Sequence, residues 1–447
     1  MPNGIRGVGS TGERGTRAMD LTSSRLEYAA GALTLVCVCA TVWLWPRLAR
    51  SGLHWIAARL GMIVASQLSV VLLVALMLNS YGDFYPTWQD LAGGNDETVT
   101  IGRTSGEEQA GLRSSSLVLA ADAPALEQQP GLPDGPPDKV GHYGAVTIVG
   151  RHSGLRQQAF VYLPPAYFQP AYQHSGFPVL TSYVGYPGSI QGVLSVLKLQ
   201  QTAAEQMAAG RMKPTIVVLI SQTVAPPRDT DCVDVVGGPQ VETFLTGDYQ
   251  AALRSAYRVR PEPAAWGLIG FSEGGTCALE AALRHPGMFG AAVSLGGEFS
   301  DYETGQTGTL FGPKGPARDK LVNGYNLMWR LKHLPAPDVR VLVATTAHGE
   351  RDYTGTEQFM SLAKPPLEVT PMVLSSGGHN FRTWAVELKP ALAWLGRQLL
   401  PPGPAATSTP STPTGAAPRT AARSDSADSR PAPPHRTPTT RGPAVPG

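Results

Sequence analysis

The feature that most constrains this chain is a serine set among glycines, in the run Gly270-Phe271-Ser272-Glu273-Gly274-Gly275. An apolar run at 264–269 precedes it, and a helix-forming run at 276–283 follows it. A G-x-S-x-G sequence between a strand and a helix predicts a sharp turn that presents the serine hydroxyl at the top of a sheet. This setting favours Ser272 as a catalytic nucleophile over a serine in a structural turn.

A histidine further along the chain supplies the expected partner of this serine. His379 lies in a loop, Gly377-Gly378-His379-Asn380, between an apolar run at 369–374 and an amphipathic helical pattern. A histidine in such a loop can take the serine proton and return it to a leaving group. Among the 9 histidines of the chain, His379 is therefore the candidate general base, with His348, close to the loop expected to hold the acid, as the weaker alternative.

An acid is expected in the loop that follows the apolar run at 339–345. A carboxylate there can orient the imidazole and stabilise its charged form. Two carboxylates, Glu350 and Asp352, occupy this loop. The spacing from Gly349 favours Asp352 as the acid, with Glu350 as the alternative.

Several motifs carry a family resemblance. Phe160-Val161-Tyr162-Leu163-Pro164-Pro165, Phe177-Pro178-Val179-Leu180, the serine motif and Gly378-His379-Asn380 follow one another between residues 143 and 399. In this order they resemble the putative-esterase (esterase D-like) branch of the α/β-hydrolases, which also contains the secreted mycolyltransferases. The resemblance implies an α/β-hydrolase domain at 142–400 that acts as a serine esterase or acyltransferase through an acyl-enzyme.

The resemblance also implies an oxyanion hole formed by the backbone N–H groups of Tyr186 and Glu273. Val184 stands where mycolyltransferases have an aspartate that helps to bind the sugar acceptor, which argues against trehalose as the acceptor. Glu273 stands where the family often has a bulky apolar residue. Its carboxylate is expected to point away from the oxyanion or to be held by an arginine.

The domain region alternates strand and helix signals, which predicts a mostly parallel sheet with helices on both faces. The predicted strands before the serine motif are 145–149, 158–163, 179–184 and 215–221, and the predicted helices are 193–209 and 241–259. The run 297–334 interrupts the alternation with a Gly/Thr-rich loop and a helix near 320–331. Its place in the chain is where such enzymes often carry a cap over the site.

Two uncharged apolar stretches, 28–45 and 60–78, are each long enough to cross a bilayer. They predict a transmembrane hairpin within residues 26–79, with helices at about 27–45 and 60–78, ahead of the α/β domain. The loop between them holds Arg47, Arg50 and Arg59 and no acid, so it is expected in the cytoplasm. The chain is thus predicted to be a two-span cell-membrane protein with an extracytoplasmic catalytic domain.

The remaining segments have simpler interpretations. Residues 1–25 are an N-terminal tail whose extra arginines conflict with this orientation, and a start of translation at Met19 would remove 1–18 and the conflict. Residues 80–141 are predicted to be a juxtamembrane linker. Residues 401–447, rich in Pro, Thr and Ala, cannot bury enough apolar surface to order themselves, and are predicted to be disordered.

The 4 cysteines agree with export. Cys37 and Cys39 fall in the first span, whereas Cys232 and Cys277 could form a disulfide in an oxidising compartment, the alternative being two separately buried thiols. The chain has no C-x-x-C and no histidine pair at ligand spacing, so no metal or cofactor is expected.

Composition limits the partners. A net charge of +2, without basic clusters interleaved with aromatic residues, gives no sign of nucleic-acid binding. The expected partners are an acyl ester and a lipid or cell-envelope acceptor. The alternative function is a non-catalytic hydrolase-fold scaffold or binding protein of the envelope, which a complete Ser, acid and His in order disfavours.

Overall fold

The structure is a computed structural model that describes residues 24–82, 115–120, 133–186, 188, 190–225, 228–299, 303–350 and 352–405. Most of the predicted N-terminal tail, most of the predicted linker and the predicted disordered tail beyond residue 405 lie outside these ranges.

Two long apolar helices, α1 (Ser24–Leu44) and α2 (Leu53–Gly82), begin the described chain. Within them, Arg25–Leu44 and Leu53–Asn79 are long and apolar enough to cross a membrane. The helices contact each other through polar groups, since the Thr34 hydroxyl donates to the carbonyl oxygen of Ser69 over 3.0 Å. Their apolar side chains mostly face outward, as lipid-facing side chains would.

A nine-stranded sheet forms the centre of the rest of the chain, in the order β1-β2-β3-β6-β5-β7-β8-β9-β10. The neighbouring pairs β1–β2, β2–β3 and β3–β6 are antiparallel. Every pairing from β6 across the sheet to β10 is parallel. The strands are β1 (Val118–Ala120), β2 (His142–Val149), β3 (Arg156–Leu163), β4 (Ser175–Gly176), β5 (Val179–Tyr183), β6 (Ile216–Ile220), β7 (Trp266–Phe271), β8 (Ala291–Leu295), β9 (Arg340–Thr346), β10 (Glu368–Leu374) and β11 (Gly403–Pro404).

Helices cover both faces of this sheet, because alternate residues of its central strands are apolar on both sides. In β3, Phe160 and Tyr162 pack into one buried cluster, and Val161 and Leu163 pack into the other. The helices of this region are α3 (Pro137–Val140), α4 (Ile190–Gly192), α5 (Leu199–Ala208), α6 (Val241–Thr243), α7 (Tyr249–Ala256), α8 (Glu273–Arg284), α9 (Pro316–Tyr325), α10 (Leu327–His333), α11 (Tyr353–Leu362) and α12 (Phe381–Gln398). The predicted α/β-hydrolase fold is thereby confirmed.

The structure departs from the sequence expectations in local ways. The predicted helix 193–209 is interrupted at Lys198, whose φ of 51° ends the π-helical turn Val193–Leu197 before α5 begins. The predicted helix 241–259 likewise contains a π-helical turn, Phe244–Asp248. Strand β1 lies in the predicted linker and pairs with β2, so the folded region includes residues before 142.

A small second ribbon lies at the end of the domain where the parallel strands begin. Strand β11 pairs antiparallel with β4, and the Arg260 guanidinium donates to the carbonyl oxygen of Pro401 over 2.8 Å. Strand β4 comes just before the start of β5, so this ribbon is at the amino edge of the sheet.

Candidate active site

Ser272 occupies a tight turn between β7 and α8. Its φ of 55° and ψ of −129° are unusual for a residue with a side chain, and the turn is possible because Gly270 and Gly274, two residues to either side, have no Cβ. A Cβ on Gly270 would lie 1.8 Å from the carbonyl oxygen of Gly274, and one on Gly274 would lie 2.3 Å from that of Val184. The motif therefore folds as a strand, a strained turn and a helix, with Ser272 at the carboxyl edge of the sheet.

His379 lies against this serine, with 2.7 Å between Ser272 Oγ and His379 Nε2. The loop is held at the start of α12, where Asn380 Oδ1 accepts the N–H of Thr383 over 3.1 Å. The ring of Trp384 packs edge-on against the imidazole, with 5.2 Å between the ring centroids. These contacts fix the imidazole in position to accept the serine proton.

The acid that reaches His379 is Glu350. Its Oε1 lies 2.5 Å from His379 Nδ1, and the two side chains are only 3% and 7% exposed. An ionised carboxylate can only accept, so Nδ1 carries a proton and Nε2 is left to accept from the Ser272 hydroxyl. The three side chains thus form a continuous relay.

Asp352 has a different place, and the sequence-based preference for it is corrected. Its carboxylate accepts the N–H of Gly355 over 3.1 Å and the N–H of Phe299 over 3.0 Å, which makes it the N-cap of α11. Glu350 and Asp352 share one short loop, and spacing alone could not tell which of them faces the imidazole.

Both predicted oxyanion-hole segments lie beside Ser272. A Cβ on Gly185, the residue before Tyr186, would approach Ser272 Cβ to 3.1 Å, so this loop contacts the nucleophile closely. Glu273 opens α8, and N–H groups in a first helical turn have no intrahelical acceptor. Such donors can stabilise the negative charge that develops on a carbonyl oxygen during acyl transfer.

The Glu273 side chain is held by an amide, not by the arginine that the sequence analysis expected as one of two outcomes. Gln222 Nε2 donates to Glu273 Oε2 over 3.2 Å. Burial, followed by the charges of Asp229 and Asp231, raises the pKa of Glu273 well above its ordinary value.

A second buried acid, Glu387, lies behind the relay and was missed by the sequence analysis. It is 1% exposed on α12, and burial together with the charge of Glu350 raises its pKa to about 8. The sequence feature that could have identified it as a buried acid is its position on the apolar face of that helix, between Trp384 and Leu388.

Cys232 and Cys277 form a disulfide with their Cα atoms 5.7 Å apart. The bond joins the loop after β6 to the first turns of α8. The Glu273 carboxylate lies within 4.8 Å of both sulfur atoms, but disulfide sulfurs are not thiolates and do not offer a metal site here.

Part of the chain is similar to known proteins. Residues 153–354 match the family described as "Putative esterase". An uncharacterized protein of Corynebacterium glutamicum is 27% identical over 253 residues, which is 54% of this chain and 57% of that protein, so the chain spans little more than half of this relative.

Solved structures of esterases are similar at low identity. A ferulic acid esterase is 16% identical with a TM-score of 0.48, covering 58% of this chain and 99% of its own. An S-formylglutathione hydrolase from Agrobacterium tumefaciens is 15% identical with a TM-score of 0.48, covering 58% of this chain and 96% of its own. With the family match over residues 153–354 and the fold on which its motifs are arranged, this region of the chain is similar to the putative-esterase family of serine hydrolases.

Proposed function

We propose that this protein is a membrane-anchored, extracytoplasmic serine esterase or acyltransferase that works through an acyl-enzyme on Ser272. The observation that carries the proposal is the relay from Ser272 through His379 to Glu350, with contacts of 2.7 and 2.5 Å. Nucleophile and base lie within hydrogen-bond reach, and the base is oriented by a third group, as activated serine nucleophiles require.

The reaction follows from these roles. Ser272 Oγ attacks the ester carbonyl carbon while its proton passes to His379 Nε2, and Glu350 stabilises the resulting imidazolium. The N–H groups of Tyr186 and Glu273 bind the oxyanion. When the tetrahedral intermediate collapses, the alcohol leaves with the proton from His379, and the acyl group remains on Ser272.

The second half of the reaction decides between hydrolysis and transfer. Water or an acceptor alcohol gives up its proton to His379 and attacks the acyl-enzyme, and Ser272 is regenerated. A mycolyltransferase-like role would use an alcohol of a lipid or cell-envelope acceptor. Val184, in place of an acidic residue, makes an acceptor other than trehalose the better candidate.

The membrane anchor is supported by two features. The candidate spans Arg25–Leu44 and Leu53–Asn79 have mean hydropathies of 1.6 and 2.3. The loop between them carries Arg47 and Arg50, and short basic loops tend to stay in the cytoplasm. On this topology, protease added to intact spheroplasts releases an active soluble domain, and a domain protected until the membrane is broken would invert the orientation.

A non-catalytic envelope scaffold is the competing function, and labelling separates the two. A fluorophosphonate probe should label the wild-type protein and leave Ser272→Ala unlabelled, with Ser221→Ala, a serine at the end of β6, as the matched control that keeps labelling. Absence of labelling in the folded wild-type protein favours the scaffold. Turnover of acyl esters with and without glycerol or sugar acceptors then distinguishes hydrolysis from transfer.

A further inference from the structure

One side of the Ser272 turn is lined by acids that the proposed reaction does not use. Parallel strands end at the same edge of a sheet, so Gln222 after β6 and Glu273 after β7 meet there, and the loop after β6 adds Asp229 and Asp231. We refer to Asp229, Asp231 and Glu273 as the acidic cluster. Asp229 and Asp231 are each only 8% exposed.

The members of the acidic cluster interact electrostatically. Burial, followed by the charges of Asp229 and Glu298, raises the pKa of Asp231 well above its ordinary value. The neighbouring Arg228 does not neutralise the cluster, because its guanidinium donates to the carbonyl oxygens of Thr307 and Thr309, each over 2.9 Å. Across the described part of the chain, no lysine or arginine forms an ion pair with a member of the cluster.

The same place holds acceptor atoms without donors. Gln222 is fully buried and directed at the cluster through its bond to Glu273, yet its Oε1 has no hydrogen-bond partner among the described residues. The hydroxyl of the buried Thr230 also lacks a partner there. Buried polar atoms are normally hydrogen-bonded, so these atoms can accept hydrogen bonds from a ligand that enters the site.

The ligand that fits negative charge and unpaired acceptors is a protonated amine, which carries a positive charge and three N–H donors on a primary ammonium. A bare metal ion fits less well. The one compact ligand grouping found among the described residues is Glu273 with the two disulfide sulfurs, and the carboxylates of Asp229 and Asp231 do not converge with it to a metal's ligand distance.

We propose that the acidic cluster is a substrate subsite that binds a protonated amine carried within a few bonds of the scissile carbonyl. The enzyme then prefers aminoacyl and similar ammonium-bearing esters to neutral and anionic ones. This inference rests on the proposed ester chemistry at Ser272. Glu273 directly follows the nucleophile, so an amine held there lies beside the acyl group under attack.

Three p-nitrophenyl esters of similar size test the subsite in the full-length protein. The 3-aminopropanoate ester is positive, the butanoate ester is neutral and the succinate ester is negative at pH 7. We expect kcat/KM for 3-aminopropanoate to exceed that for butanoate by about tenfold or more, equivalent to ~1.4 kcal/mol, and succinate to be the poorest of the three. Propylammonium should inhibit butanoate turnover competitively.

Variants that remove a carboxylate charge test whether the acidic cluster causes the preference for the ammonium ester. Asp229→Asn and Asp231→Asn should each lose most of the preference for the ammonium ester while changing butanoate turnover by less than about threefold, since a neutral ester gains nothing from a carboxylate. Glu368→Gln is the matched control, because its 69% exposed side chain lies at the amino end of β10. It should keep the preference.

The outcomes separate the two proposals. Equal kcat/KM for the positive and neutral esters, without inhibition by propylammonium, overturns the subsite and leaves the esterase standing. If the acidic cluster only stores protons, Asp231→Asn should alter the pH profile of kcat/KM while the preference for the ammonium ester persists. That result also overturns the subsite. Failure of all three esters refutes the proposed function instead. Inhibition of the wild-type protein by propylammonium tests the subsite even if a variant fails to fold.

Discussion

Replacing each of the two loop carboxylates by its amide should give opposite results. Glu350→Gln keeps the size of the side chain but removes the charge that lies 2.5 Å from His379 Nδ1. Asp352→Asn makes the same chemical change two residues away, where the carboxylate caps α11.

The size of the first effect follows from the burial of the pair. At an effective dielectric of 20, a unit charge pair about 4 Å apart gains ~4 kcal/mol, and the His379 and Glu350 side chains are only 7% and 3% exposed, so little of this is screened by solvent. That energy stabilises the imidazolium of the transition state and corresponds to about a thousandfold in rate. The amide can also favour the wrong imidazole tautomer, and we expect kcat/KM to fall by about 10³- to 10⁴-fold.

The second effect should appear in stability and not in rate. In Asp352→Asn the side-chain amide oxygen can still accept the N–H of Gly355, so this variant should stay within about threefold of wild-type kcat/KM. Asp352→Ala removes the cap and should lower the free energy of unfolding by about 1–2 kcal/mol, with activity retained at a temperature where the variant is folded.

The assay is initial-rate hydrolysis of p-nitrophenyl butanoate, paired with urea unfolding of each variant. A Glu350→Gln enzyme within tenfold of wild type, or an Asp352→Asn enzyme that is folded but a thousandfold slower, would refute the assignment of Glu350 as the acid. Labelling by fluorophosphonate would show whether Ser272 remained reactive in each case.

Three further predictions concern the rest of the site. Ser272→Ala and His379→Ala should each abolish most turnover, and the double variant should be little worse than either, because the relay acts as a unit; additive losses would contradict this. Replacing Cys232 and Cys277 by serine should lower the free energy of unfolding by about 4 kcal/mol for a closed loop of this size, seen as a lower urea midpoint, whereas an unchanged midpoint would exclude a stabilising bond. Burial raises the pKa of Glu387 from 4.5 to about 8, so between these pH values the folded state keeps a proton that the unfolded state loses. The contribution of Glu387 to the free energy of unfolding is therefore full below pH 4.5. It falls by about 1.4 kcal/mol per pH unit as pH rises towards 8. Glu387→Gln should flatten the decline in unfolding free energy over that range, and an unchanged slope would show that Glu387 is ionised in the fold.

The sequence predicted those parts of the site that depend on local signals. Ser272 follows from a turn that only glycines permit, and His379 from a loop between a strand and an amphipathic helix. The acid could not be chosen, because Glu350 and Asp352 differ in tertiary contacts and hardly in local context. Gln222 reaches Glu273 from another strand, 51 residues away along the chain, which no local pattern could indicate.

The same distinction applies to the fold. The alternation of strands and helices predicted the parallel sheet, since each buried strand gives a strong apolar run. Strand β1 was missed because three residues are too few to show a period of two, and it forms only by pairing with β2. The break at Lys198 depends on a backbone conformation that the apolar pattern of the two flanking helical turns does not encode.

The ribbon of β4 and β11 determines where residue 405, the last residue that the structure describes, leaves the domain. It lies at the amino edge of the sheet, whereas Ser272 lies at the carboxyl edge, past the six residues of β7. At about 3.3 Å per residue, the two places are roughly 20 Å apart through the domain. A surface or fusion partner coupled directly to residue 405 would therefore contact the domain at the amino edge of the sheet, on the side opposite to Ser272.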